Sequence, residues 1–175
     1  MSFSHFVRKL LPKYFLVLQF RLEMVRDQSH FSNHSKLILG STQNMIKRTE
    51  LRNIAKARIK DAEVLLIAKR YDGAAYICGY AIELGLKARI CRTLKWSGYP
   101  STNKEFSDYR CFKTHDLDVL LHLSGIEEKI KNLFFGDWSN VANWNPEARY
   151  EPVETVSKSD AYDMINSTKN LMKIL

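Results

Sequence analysis

Apolar residues recur at helical spacing through most of the chain after residue 44. Between Leu51 and Leu66 they follow a period of about 3.6 residues, with charged side chains on the opposite face, which is typical of an amphipathic helix. No segment shows the alternation that predicts a strand. We therefore predict an all-α protein built as an up-and-down bundle of roughly four to five helices. The predicted helices cover residues 46–70, 74–94, 115–123 and 126–135, with a last helix that reaches Leu175.

The predicted helix at 74–94 differs from the others because it is apolar on nearly every side. Such a helix belongs in the centre of a bundle. Its small residues, which allow neighbouring helices to approach closely, are Ala74, Ala75, Cys78, Gly79, Ala81, Gly85 and Ala88. Residues 136–154 are aromatic and show no helical period, so we predict an irregular segment there. The residues predicted to cap helices are Asp72, Thr114 and Gly125, together with Ser159 or Asp160.

The first 44 residues differ in composition from the rest of the chain. They hold six lysine and arginine residues against two acidic ones, and residues 28–44 are mostly polar. The sequence therefore predicts a basic N-terminal extension with a linker, residues 1–44, followed by a helical domain, residues 45–175. We further hypothesise that Met45 is a natural start and that the extension is optional.

Length and composition narrow the class of protein. A chain of 175 residues with 45% apolar and 26% charged residues suits one globular domain. Three cysteines, none in a CxxC pair, favour a reduced, cytoplasmic setting over a disulfide scaffold. No apolar run reaches the roughly 18 residues that a membrane span needs, so we expect no membrane partner.

The charge of the chain permits an acidic partner such as RNA or a nucleotide but does not require one. The formal net charge is +8, and the excess is spread along the sequence. His30 and His34 have the i,i+4 spacing of metal ligands but no supporting cysteine or acid nearby, and no glycine-rich phosphate loop is present. We therefore predict no metal and no cofactor.

A polar stripe crosses the otherwise apolar helix at 74–94. Its members are Tyr76, Tyr80, Glu83 and Lys87, at intervals of three and four residues. A carboxylate in an apolar helix must be paired or face a cleft, and Lys87 follows Glu83 by one turn in the favourable order. Two interpretations stay open: the stripe lines a cleft that binds a ligand or a partner, or it contains an internal ion pair that fixes helix packing. For the internal pair, Arg149 is the expected distant partner of Glu83.

Two further segments have residue types suited to RNA chemistry. Arg110 and His115 are separated by four residues, as R-x4-H. A histidine can act as acid or base and an arginine can stabilise a phosphorane, so these residue types suit chemistry on a phosphodiester. The second segment holds Trp144, Arg149 and Tyr150, and an arginine between aromatic rings can stack on a base and bind phosphate. Both segments have structural alternatives: near a helix start His115 bonds the backbone or a neighbouring carboxylate, and the aromatic residues pin a loop over the core.

Several short motifs together resemble the HEPN domain family. They lie at 57–66, 70–76 and 79–88, continue as Lys-Thr-His-Asp-Leu at 113–117, and end with Trp144 and Arg149-Tyr150. The resemblance covers approximately residues 45–175 and keeps the family's order. It implies an all-α HEPN-like bundle, a homodimer with clefts near the subunit interface, and frequent pairing with a minimal nucleotidyltransferase in a toxin–antitoxin-like system.

The resemblance leads to one functional hypothesis and one alternative. The first is a module that binds a nucleotide, RNA or the nucleotidyltransferase partner. Its predicted ligand-binding residues are Tyr76, Tyr80, Glu83, Lys87, Trp144, Arg149 and Tyr150. The alternative is a metal-independent endoribonuclease toxin with Arg110 and His115 as catalytic residues. In HEPN ribonucleases the R-x4-6-H motif lies on a helix late in the domain, whereas here it spans a loop and the start of a middle helix, so we favour the binding module.

Overall fold

The computed structural model of the protein describes residues 45–107 and 109–175. Its α-helices are α1 (Arg48–Ile67), α2 (Tyr71–Leu94), α3 (Leu117–Ser124), α4 (Glu127–Leu133), α5 (Phe135–Ala142) and α6 (Lys158–Met172). Short 3-10 helices cover Arg110–Phe112 and Pro146–Tyr150, and two strands, β1 (Ile46–Lys47) and β2 (Gly98–Tyr99), pair antiparallel. The predicted all-α bundle is confirmed.

α2 is the central helix, as its apolar character predicts. It packs against α1, α3 and α6, and half of its residues are buried, including Ile82, Leu86 and Ile90. The start of α2 contacts the residues just before α6, and Gly85 faces Met172 at the end of α6. α2 and α6 therefore run in the same direction, while α1 precedes α2 through a tight turn and runs the opposite way.

The boundary between α1 and α2 was predicted incorrectly. α1 ends at Ile67 and α2 begins at Tyr71, so the first turn of α2 includes Asp72. The Asp72 carboxylate accepts hydrogen bonds from backbone N–H groups of Val156 and Glu154, at 2.8 and 2.7 Å, and from the Thr155 hydroxyl at 3.1 Å. These bonds, Val156 foremost, hold the pKa of Asp72 below its usual value. Asp72 ties the segment before α6 to α2 instead of capping α2.

Two other predicted N-caps are displaced by a few residues. α3 begins at Leu117, and its N-cap is Asp116, which accepts a hydrogen bond from the backbone N–H of Val119 at 3.0 Å. Thr114 instead accepts one from the Asp116 N–H. In α6 the N-cap is Ser157 rather than Ser159 or Asp160. The neighbouring Ser, Thr and Asp side chains are all competent caps, so local sequence does not choose among them. Gly125 ends α3 with a φ of 72°, as predicted.

The predictions of an irregular segment at 136–154 and of a strand-free chain were wrong. α5 occupies the first part of that segment, with Trp138 and Val141 buried. Asn140 Nδ2 donates to the Ser167 hydroxyl on α6 at 2.9 Å. A helix of two turns offers too few apolar positions for its period to be recognised, and β1 and β2 are too short to alternate.

The predicted extension at 1–44 lies outside the described residues, and the domain boundary at Met45 stays a prediction. Cys78 and Cys91 are buried free thiols, and Cys111 is an exposed one. Burial raises the pKa of both Cys78 and Cys91 to about 11. Over residues 45–107 and 109–175, no helix combines the length and the apolar character required to cross a membrane.

Candidate functional site

Glu83 gathers a lysine and a histidine around one carboxylate oxygen. Its side chain is 3% exposed, in the middle of α2. Lys87 Nζ lies 2.5 Å from Glu83 Oε1, and His115 Nδ1 lies 3.0 Å from the same oxygen. Lys87 is one turn further along α2, whereas His115 arrives from the segment before α3, 32 residues away. We call these three residues the Glu83 cluster.

The two partners of Glu83 differ in their exposure. The Lys87 side chain is 15% exposed, so Glu83 and Lys87 form a largely buried ion pair. The His115 side chain is 63% exposed. An ionised carboxylate only accepts hydrogen bonds, so Nδ1 of His115 donates to Glu83. Within residues 45–107 and 109–175, Nε2 has no hydrogen-bond partner. The Glu83–Lys87 pair agrees with the interpretation of an internal ion pair, and Glu83 also supports a side chain at the surface. Ligand binding by the stripe stays a prediction.

Tyr99 fixes the segment that places His115 beside Glu83. Tyr99 was not identified from the sequence as part of the site. Its hydroxyl donates to the Phe112 carbonyl oxygen at 2.6 Å, and its ring lies 5.3 Å from Lys87 Nζ. Phe112 in turn packs its ring on Trp96, with centroids 4.9 Å apart. Aromatic residues are frequent between Trp96 and Phe112, and that density was the available signal for a small aromatic core in a predicted loop.

Among the described residues, no hydrogen bond joins Arg110 to His115. Arg110 is exposed on the 3-10 helix Arg110–Phe112. Within the described ranges it makes no ion pair, and the ring nitrogen of His115 is bonded to Glu83. His115 also lies in the segment before α3 rather than on the helix, since α3 begins at Leu117. The catalytic role of this pair stays a prediction.

A second cluster forms around Trp144 at the other end of the stripe. The rings of Tyr76 and Trp144 are 5.9 Å apart at an interplanar angle of 48°. The Arg149 guanidinium lies 4.8 Å from the centre of the Tyr150 ring, and Nη2 lies 3.4 Å from Glu147 Oε1. Hydrogen bonds with the side chains of Tyr150 and Tyr76 raise the pKa of Arg149 further above its usual value. We call Tyr76, Trp144, Arg149 and Tyr150 the Trp144 cluster.

The predicted pairing of Glu83 with Arg149 is wrong. Arg149 belongs to the Trp144 cluster, whereas Lys87 pairs with Glu83 and His115 contacts the same carboxylate oxygen. Glu83 lies seven residues after Tyr76, which puts about 10 Å of helix axis between the two clusters. The helical spacing shows that Tyr76 and Glu83 face the same way, but it does not show which distant side chain pairs with each of them.

Gly79 provides the space for Trp144. A Cβ atom built on Gly79 would collide with the indole ring, whose Cγ, Cδ1 and Cδ2 atoms are its nearest neighbours. The small residues of α2 were predicted to allow close approach of neighbouring helices. At Gly79 the space is taken instead by the side chain of Trp144, which lies between α5 and the 3-10 helix Pro146–Tyr150. Trp144 in turn supports the ring of Tyr76.

The four stripe residues share one face of α2, with exposed Tyr80 between the two clusters. Lysine and arginine donors, each near an aromatic ring, suit recognition of a phosphate and a planar base. Among residues 45–107 and 109–175, no group of three or more histidine, cysteine, aspartate and glutamate side chains could hold a metal ion.

The fold and the two clusters define an all-α bundle protein with a polar and aromatic surface along its central helix. The model of the HEPN domain matches residues 49–175, which is more than half of the chain. The protein therefore belongs to the HEPN domain family, and membership makes it a nucleotide- or RNA-related module in general. No curated protein and no solved structure matches it significantly.

Proposed function

We propose that this protein is a binding module that takes a nucleotide or RNA on the polar face of α2, as one member of a toxin–antitoxin-like pair with a nucleotidyltransferase. One observation carries the binding role. The Glu83 cluster and the Trp144 cluster lie along the same face of α2, where Lys87 is near the buried ring of Tyr99 and Arg149 is near the exposed ring of Tyr150.

The two clusters would divide the recognition between them. Tyr150 is exposed and already stacks with the Arg149 guanidinium, which makes it a platform for a base. Arg149 and Lys87 supply charged donors to phosphate oxygens, and the free Nε2 of His115 adds a donor or an acceptor. Because Glu83 holds both Lys87 and His115, less side-chain entropy is lost when the ligand binds.

Ligand binding tests this function, and Arg149 is the most informative residue to change. Because Arg149 is exposed, Arg149→Gln should leave the fold intact. We expect it to weaken binding of a fluorescent adenine nucleotide about tenfold, since one charge-assisted contact is lost. Lys129→Gln, which removes an exposed cation from α4, is the matched control and should bind as wild type does. Equal affinities for the two variants, or no binding by wild type, would contradict the proposal.

The nucleotidyltransferase partner, the homodimer and the cytoplasmic location belong to the same proposal. The family resemblance supports the partner and the dimer, and the three free thiols support the location. Light scattering measures the mass of the purified protein, and a monomer at micromolar concentration would count against the dimer. Co-expression with a nucleotidyltransferase encoded beside this protein tests the pair, and failure to co-purify would count against it.

The geometry of His115 favours a second candidate function, a metal-independent endoribonuclease. With Nδ1 bonded to the buried Glu83, Nε2 is oriented to accept the proton of a 2′-hydroxyl. The 2′-oxygen then bonds to phosphorus, the bond to the 5′-oxygen breaks, and that oxygen takes up a proton. Arg110 or Lys87 would stabilise the charge on the phosphoryl oxygens.

RNA cleavage in the presence of EDTA distinguishes this candidate from pure binding. If wild type cleaves, His115→Ala should reduce the rate about 100-fold or more, because the general base is lost. Arg110→Ala tests the other half of the motif. His122→Ala is the matched control, since His122 also bonds a glutamate, Glu127, through Nδ1. An inactive wild type, or an active His115→Ala variant, would eliminate the ribonuclease.

A further inference from the structure

Four cations lie together where α1 begins and α2 ends. They are Arg48 at the start of α1, Arg89 and Arg92 near the end of α2, and Lys95, which follows Leu94. We call these four residues the basic end. Pairing of β1 with β2 brings the start of α1 beside the residues that follow α2, and Arg48 is within electrostatic range of Cys91.

The exposure of Arg89 and Arg92 follows from how far α6 extends along α2. Gly85 faces Met172, the last residue of α6. Arg89 and Arg92 lie within about 40° of Gly85 around the helix axis, one and two turns further on. α2 therefore continues past the end of α6, and Arg89 and Arg92 lie beyond the part of α2 that α6 covers. Arg92 and Lys95 are exposed, and Arg89 is half-buried.

The charge of the basic end has no acidic partner among the residues that the structure describes. In the part of the chain that the structure describes, none of its four members forms an ion pair. Arg89 Nε is buried without a hydrogen-bond partner there, and burial, followed by the charge of Arg92, lowers the pKa of Arg89. Arg89 and Arg92 repel each other, because like charges three residues apart on a helix are neighbours. The helix dipole favours cations only in the last turn, and Arg89 lies before that turn. A bound anion would supply the missing compensation.

We infer that the basic end binds the phosphate backbone of RNA, as a second contact beside the polar face of α2. The inference rests on the proposed function and makes RNA, rather than a free nucleotide, the ligand of the protein. Arg92 lies about 140° around α2 from Lys87, so one nucleotide at the Glu83 cluster does not reach the basic end. A single strand reaches both surfaces, since it carries a phosphate at every nucleotide and gains affinity from each one that arginine neutralises.

The test compares RNA binding by two matched double variants over a range of salt concentrations. Arg89→Gln/Arg92→Gln removes two cations of the basic end. Arg70→Gln/Lys158→Gln removes two exposed cations at the opposite end of α2 and at the start of α6. The first variant should bind an unstructured single-stranded RNA oligonucleotide about tenfold more weakly than wild type does. The slope of log association constant against log salt concentration should also be shallower by about 1.4, because each of the two lost phosphate contacts contributes about 0.7. The second variant should keep the wild-type slope.

Parallel binding of an adenine nucleotide separates this inference from the proposed function. Weakened RNA binding with unchanged nucleotide binding supports the basic end. Equal losses in the two double variants, or equal competition by polyglutamate of matched charge, would overturn it and leave the proposed function standing. Absence of nucleotide and RNA binding in wild type would overturn both. If loss of Arg89 unfolds the protein, Arg92→Gln/Lys95→Gln replaces the first variant, because both side chains are exposed.

Discussion

Replacement of Glu83 by glutamine should lower the free energy of unfolding by about 3 kcal/mol. Glutamine keeps the size of the side chain but removes the charge that neutralises Lys87, whose side chain is only 15% exposed. An ammonium group left without a counter-charge in that position loses its Coulomb partner and still bears its desolvation cost. Urea or guanidinium unfolding, followed by circular dichroism, measures the change.

Glu127→Gln is a closely matched control for this prediction. Glu127 also has a lysine and a histidine partner: Lys131 Nζ, one turn further along α4, lies 2.8 Å from Oε1, and His122 Nδ1 lies 2.7 Å from Oε2. The Glu127 side chain, however, is 32% exposed. Solvent screening should limit that loss to below about 1 kcal/mol. Adding Lys87→Met to Glu83→Gln should restore part of the lost stability, because the uncompensated charge disappears. Similar losses for Glu83→Gln and Glu127→Gln would show that the Glu83 pair behaves as an ordinary surface ion pair.

Replacement of Gly79 by alanine should lower the free energy of unfolding by about 2 to 3 kcal/mol, although alanine is the better helix former. The added methyl group would occupy the place of the Trp144 indole ring, so the ring must move away from α2. That movement also removes the support of the Tyr76 ring. Denaturant unfolding measures the loss, and weaker nucleotide binding should accompany it if the Trp144 cluster binds the ligand.

A double-mutant cycle identifies the cause of that loss. In the background of Trp144→Ala, the Gly79→Ala change should cost almost nothing, because no ring remains to collide with the methyl group. Gly136→Ala is the control for helix propensity, since no atom lies within 4 Å of a Cβ built at that position in α5. It should leave stability unchanged or raise it slightly. A full Gly79→Ala cost in the absence of Trp144 would refute this explanation.

The sequence by itself determined the helical class, the central place of α2 and the shared face of Tyr76, Tyr80, Glu83 and Lys87. These features follow from the period of the α-helix, which fixes the relative direction of residues three and four positions apart whatever surrounds them. The pairing of Glu83 with Lys87 is of this kind. So is the end of α3 at Gly125, because a positive φ costs a glycine no steric clash.

Only the tertiary structure decided which distant groups meet that face. His115 rather than Arg149 reaches Glu83, Trp144 lies over Gly79, and Asp72 holds residues 154–156. The position of Arg89 and Arg92 beyond α6 depends on where α6 ends beside α2. Contacts of this kind join residues tens of positions apart, and they depend on how helices and loops pack together. A repeat of three or four residues carries no information about that packing.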